Sequence, residues 1–436
     1  MSLMTALYAG ASGLEASSLE LSVVGDNIAN GNTIGFKGSR AAFADAMAQN
    51  LVGGATGGGG QRGLGAKLQI VQKILTQGSL VNTGLATDLG IEGNGFFSVR
   101  GSHNGQDGTF YTRAGQFTVN EDGFLVNLQN LRVQGYMADS VGEISGANVS
   151  DLQVGNAGTS PRATGDITIK ANLDANAIPA NGMTFDPNDA ANTSNFVSGV
   201  TIYDSLGKAH QAEVYFRKTG AGAWEWHALT DGANLTSGTP GTPTEIASGS
   251  MTFGTAGQMT SFAQNPAVVF NPLGAAQGQE LAFNFGLPDG AGGTGLDGIT
   301  QFASASSTTF TNQDGYDSGT LTRINIDTQG QVLGIFTNGE TRPLGQVALT
   351  NFQSPDQLAR LGGNTYAQTR ESGAPTTGSP ATGARGQIVA GALEQSNVDM
   401  ASEFIRMISA QRSFQANSKT LTTADTLLAE LMTIKR

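Results

Sequence analysis

Residues 3–28 read LMTALYAGASGLEASSLELSVVGDNI. Within them Leu3, Leu7, Gly10, Leu14, Ser17, Leu21, Val24 and Ile28 follow one another at alternating steps of four and three. That alternation has a period of about 3.5 residues, the seam of a helix made to lie along another helix. Ser2 offers an N-cap, and Asn30-Gly31 offers a left-handed stop. The same alternation returns at the far end, through Met407, Ala410, Phe414, Asn417, Leu421, Ala424, Leu428, Leu431 and Lys435. There Ser396 or Asn397 suits the N-cap and Asp399 the first turn, while Lys435-Arg436 offsets the dipole in the last turn. A helix of that extent is ~60 Å long.

Two helices at opposite ends of the chain, returning to one middle domain, form an antiparallel coiled-coil-like pair. Ala401, Phe404, Ile405 and Ile408 widen the apolar band of the second helix beyond a two-helix seam. Two readings stand open. The pair caps a monomeric domain, or the surplus faces other copies of the chain. The second reading makes Leu3, Leu7, Leu14, Leu21, Val24, Ile28, Met407, Phe414, Leu421, Leu428 and Leu431 self-assembly residues.

Everything between reads as strands. Phe117 and Val119 precede Asn120-Glu121-Asp122-Gly123 and Leu125, a strand ending in an Asp-Gly turn. Leu321, Arg323, Asn325 and Leu333, Ile335 flank a turn at Thr328-Gln329-Gly330, with Ile324, Ile326, Val332 and Phe336 in the opposite register. Val200, Ile202, Val214 and Phe216 alternate around 204–210, and Trp224 and Trp226 alternate after a Gly-rich turn. Gly-, Asn- and Thr-rich stretches at 155–165, 231–243 and 286–298 separate these runs. The fold class is therefore mostly β with a terminal helical pair, one β domain inserted into another. The expected boundaries are 1–35 with 397–436 for the helices, 36–145 with 315–396 for the middle domain including a Gly-rich connector, and 146–314 for the inserted outer domain.

Composition narrows the chemistry. Of 436 residues only 13% are charged, 62 are Gly, none is Cys, and the formal net charge is −12. The absence of Cys removes disulfides, thiolate metal sites and thiol nucleophiles. No basic cluster marks a nucleic-acid surface. No apolar run reaches the ~20 residues that span a bilayer, so no membrane insertion is expected. The first basic residue is Lys37, and Glu15, Glu20 and Asp26 interrupt the start. An exported chain of this kind would leave without a cleaved Sec signal peptide.

Motifs for catalysis are weak. Gly58, Gly60 and Gly63 spell G-x-G-x-x-G, but no clear strand precedes them and neighbouring glycines make the match cheap. A flexible connector is the plainer reading. His103, His210 and His227 stand far apart in predicted strands or turns, and acidic pairs such as Glu121-Asp122 fall in turns. No catalytic residue, cofactor or metal site is assigned, and no enzyme is expected.

One set of motifs goes further. Asn27-Ile28-Ala29-Asn30-Gly31-Asn32-Thr33-Ile34-Gly35-Phe36-Lys37 resembles the signature of the rod and hook family of flagellar axial proteins. Gly78–Gly84, Gly93-Asn94-Gly95-Phe96-Phe97, Tyr111-Thr112-Arg113-Ala114-Gly115 and Gly391–Asp399, with Ser396, Asn397 and Val398, extend the resemblance over 1–136 and 315–436. Residues 196–227 resemble the outer β domain of its hook branch. The resemblance implies a structural subunit of the flagellar hook, polymerising with its own copies into a flexible tube that transmits torque from rod to filament. It also implies rod, hook-cap and hook-filament junction proteins as partners. Export by the flagellar type III apparatus and an extracellular place in the flagellum follow on the same ground. A distal rod or junction protein is the alternative, and a secreted β-rich adhesin or hydrolase a more remote one.

Overall fold

The structure is a computed structural model describing residues 3–46, 49–50, 61–63, 65–139, 142–146, 148–155, 157–179, 184–266 and 269–434. Two compact units emerge. One comprises Met1–Ala157, Leu321–Ile335 and Thr341–Arg436, the other Gly158–Thr320 and Phe336–Glu340.

In the first unit the terminal helices, Leu3–Ala29 and Met400–Ile434, pack against each other. Gly10 faces Leu421, Gly13 faces Asn417 and Gly31 faces Met400, so the two run antiparallel, as the paired seams predict. The helix ends differ from expectation. Ser2 lies outside the described residues. The left-handed residue after the first helix is Gly35 (φ 69°), not Gly31. Gly31 packs against Met400 instead, and its amide donates to the Ile28 carbonyl in a tightened last turn. The second helix is capped by Asp399 and not by Ser396 or Asn397. Asp399 accepts from the Ala401 amide and the Ser402 hydroxyl, each at 2.9 Å. The Asn397 side chain is committed elsewhere, to Gly38, Ile74 and Thr76. Starting later, the helix has 35 residues and spans about 52 Å rather than the longer expectation.

The β part of this unit is built on one antiparallel ladder. Its strands run in the order Gln331–Phe336, Thr341–Val347, Arg132–Met137, Phe96–His103, Gln106–Thr112, Thr365–Ala367 and Ala359–Gly362. The Asp-Gly hairpin forms where it was read: Phe117–Val119 pairs with Leu125–Asn127, and Gly123 takes φ 82°. A side chain there would strike the Gly155 carbonyl at 2.6 Å, so only glycine fits. At the second predicted turn Gly330 is left-handed (φ 75°), and Ile326, Val332 and Phe336 face inward. Leu89, Ile91, Phe97, Phe117, Leu125, Val133 and Leu349 are sealed from solvent, with the Phe97 and Phe117 rings edge to face at 5.1 Å. Apart from these, Ser39–Asp45 and Ala66–Lys73 form a two-stranded hairpin against the first helix. Gly58 and Gly60 of the glycine run lie outside the described residues.

The second unit is a sandwich. A five-stranded antiparallel sheet runs Phe196–Tyr203, Ala209–Gly220, Ala223–Asp231, Pro243–Phe253, Met259–Gln264. A three-stranded sheet places Asp166–Asn172 between Ala282–Asn284 and Ser307–Gln313. Val200, Ile202, Val214, Phe216, Trp224 and Trp226 alternate inward and meet Ile167, Ile169, Phe283 and Phe285 in one core. Aromatic density is high, with the Trp226 and Phe285 rings edge to face at 5.0 Å. Burying six such alternating side chains supplies ~9–18 kcal/mol before entropy is counted.

Candidate self-assembly helices and the signature junction

The helix seam divides into two rows. On the first helix Gly10, Ser17 and Val24 are buried, while Leu7, Leu14, Leu21 and Ile28 are half-buried. On the second, Glu403, Ala410 and Ala424 are buried, Met407, Asn417, Leu421 and Leu428 are half-buried, and Phe414 is exposed. The side chains of Leu3 and Leu431 lie outside the described residues. Small residues bring the backbones together: a Cβ on Gly13 would lie 2.6 Å from Asn417 Nδ2. The larger residues therefore stand beside the contact. Phe404, Ile405 and Ile408 of the second helix are 44%, 70% and 48% exposed.

Where the helices meet the β part, the signature residues hold the chain by its backbone. Asn27 is buried and braces Ser39 from both sides, accepting its amide at 2.9 Å and donating to its carbonyl at 2.8 Å. It also donates to Glu403 Oε2 at 3.3 Å, linking both helices. Asn397 performs the same service from the other end, accepting from the Gly38 amide and donating to the Ile74 carbonyl, both 2.8 Å. Asn30 donates to the Asp26 carbonyl and accepts from Thr33. Gly35 crosses the Arg113–Ala114 backbone so closely that a Cβ would sit 2.6 Å from it. Phe36 is buried beneath the Arg360 guanidinium, 4.9 Å from its ring centre. Val398 packs on Gly38, and Ser396 accepts from the Val398 amide. Asn32 is exposed and takes no part in this network.

At the centre lies a buried charge cluster that sequence reasoning did not assemble. Glu394 is sealed and binds Lys37 Nζ at 2.6 Å and Arg113 Nη1 at 3.1 Å, both also buried. Glu394 Oε1 further accepts from the Gly78 amide, and its carbonyl from the Gly35 amide. Lys37 donates to the Thr76 carbonyl and Arg113 to that of Gly93, each at 2.8 Å. Burial lowers the pKa of Lys37, against the attraction of Glu394, and acts the same way on Arg113. All three residues stand inside the recognised motifs, yet 357 positions separate Lys37 from Glu394. No spacing rule joins them. The histidines are all engaged: His103 with Thr365, His210 with Asp204 and His227 with Glu245.

Comparison with known proteins gives this architecture its relatives. Residues 7–37 match the family described as flagella basal body rod protein, and 389–434 the flagellar basal body rod FlgEFG protein C-terminal family. Residues 90–184 match the flagellar hook protein FlgE/F/G D1 domain, and 172–316 the flagellar basal body protein FlaE D2 domain. The flagellar hook protein FlgE of Borreliella burgdorferi is 38% identical, covering 99% of this chain and 100% of that one. That of Treponema pallidum is 34% identical over the whole of both chains. The Escherichia coli protein is 33% identical over 97% of this chain and 98% of its own. Similar from end to end to these relatives, with the junction motifs and the inserted sandwich all in place, the chain belongs to the flagellar hook protein family.

Proposed function

We propose that this chain is the structural subunit of the bacterial flagellar hook, polymerising into a curved tube that transmits torque between rod and filament. The observation that carries the assembly reading is the apolar row on the second helix. Phe404, Ile405 and Ile408 remain exposed on a helix whose small-residue face is already closed. Large apolar side chains concentrated on one face mark a contact surface, and further copies of the same helix pair fit it. A tube that turns while bent lengthens and shortens each subunit contact once per revolution. Rigid helices hold such contacts, while a sandwich of low charge density slides over its neighbours. The partners in this reading are rod, cap and junction proteins. In this reading the chain is exported by the flagellar secretion apparatus and acts outside the cell, as scaffold and not as enzyme.

Electron microscopy of the purified polymer tests this. A short tube that curves supports the hook. A straight tube assigns the chain to the distal rod, and a monomer at all concentrations removes the assembly reading.

A further inference from the structure

We propose that the signature junction holds a small inorganic anion beside Lys37 and Arg113. Lys37 and Arg113 are 1% and 4% exposed and share one carboxylate, that of Glu394. The cluster thus buries two positive charges against one negative. Isolated buried charge is costly, and proteins either pair it or neutralise it. Arg113 Nη1 and Nη2 are occupied by Glu394 and Gly93, but the buried Arg113 Nε has no hydrogen-bond partner among the described residues. A cavity of about 200 Å³ adjoins both cations, with Asn94, Asn351, Phe96 and Phe352 in its wall. Its volume suits chloride or a small oxyanion. The walls supply two cations, carboxamides and the rings of Phe96 and Phe352, with Arg113 lying over the Phe96 ring at 5.4 Å, and among the lining residues there is no carboxylate to repel the guest. An occupant there would balance the surplus charge and fasten the start of the second helix to the end of the first.

Thermal unfolding of the intact monomer tests this in sodium chloride and sodium phosphate against sodium gluconate, whose polyhydroxylated anion is poorly matched to the Leu75, Phe96, Phe352 and Pro355 walls, at matched ionic strength. A specific site gives a saturable rise in midpoint, about 2–3 °C at tenfold excess over its dissociation constant. The variant Asn351→Asp sets a fixed carboxylate in the wall and should abolish that rise. Equal rises in gluconate, or an unaltered rise in Asn351→Asp, would overturn the proposal. Crystals of the wild-type chain soaked in sodium bromide decide the matter without any variant. An anomalous peak between Lys37 and Phe352 supports the site, and an empty cavity at molar bromide sinks it. Should stabilisation by chloride be absent in the monomer while a neighbouring copy's carboxylate fills the cavity in the polymer, the free-anion proposal also fails.

Discussion

Single residues decide whether the junction closes. Among the described residues Glu394 is the one carboxylate bound to both buried cations, so Glu394→Gln removes the chain's own counter-charge from both. Breaking a buried pair in this way costs ~3–5 kcal/mol. Denaturant titration of the monomer should show that loss, against less than ~1 kcal/mol for an exposed ion pair such as Arg162 with Asp314. Gly35→Ala forces a Cβ into the Arg113 backbone and into a left-handed conformation, and should destabilise by several kcal/mol. In the sandwich, burial alone would raise the Asp204 pKa. Hydrogen bonds from His210 and from the Lys208 and Leu206 amides outweigh it and hold the carboxyl low. A carboxyl with a depressed folded pKa adds stability above its unfolded value of about 4, and loses it as pH falls through the folded one. Acid titration should therefore show wild type losing its advantage over Asp204→Asn as pH falls below about 4. These residues were legible as motif letters but not as partners. A carboxylate and a lysine at opposite ends of a chain carry no mark of meeting.

Elements were far more legible than their ends. Heptad alternation from Leu7 to Ile28 and from Met407 to Leu428 reports which face is covered, and the structure covers that face except at Phe414, which stays exposed. It says less about depth, because Gly10, Ser17, Ala410 and Ala424 are buried seam positions while the leucines are only half-buried, Leu421 reaching Gly10. Caps were misread for a similar reason. Asn397 has the chemistry of an N-cap, but three backbone groups of another segment claim it first. The three-stranded sheet of the sandwich escaped notice because its pairing is partly parallel and distant, Asp166 lying opposite Ala282. Assembly is tested at this scale. Leu421 is half-buried against Gly10, whereas Lys419 is exposed. Leu421→Asp should raise the critical concentration at least about tenfold, equivalent to ~1.4 kcal/mol per subunit. Lys419→Asp should pellet almost like wild type in sedimentation. A separate variant, Ile405→Asp, alters only the exposed row and should block polymerisation with the monomer melt unchanged.

At the scale of the whole molecule the inserted sandwich is built as a detachable part. The chain enters it at Gly158, leaves at Thr320 and returns only for the short turn Phe336–Glu340; Gly158 and Thr320 are register partners on adjacent antiparallel strands. Their Cα atoms are about 5 Å apart, so a short Gly-Ser bridge closes the gap without strain. We propose that a chain with 158–320 replaced by such a bridge folds and retains the β signal of the remaining sheet. Circular dichroism checks this, and loss of signal well beyond the deleted strands would show that the two units fold as one. The wide insertion was readable from alternation at Val200–Phe216, since a strand pattern with its own aromatic core needs little from its surroundings.

The junction also imposes an order in time. Its two halves are made at opposite ends of synthesis, and the carboxylate arrives only when residue 394 does. Until then Lys37 and Arg113 lack the carboxylate of Glu394, and neither can be buried unpaired without a large penalty. The sandwich, closed within itself, is free to form earlier. A growing or threading chain thus keeps its two ends apart by default. Locking is postponed until residue 394 has emerged, and a chain terminated before it never acquires the means to lock.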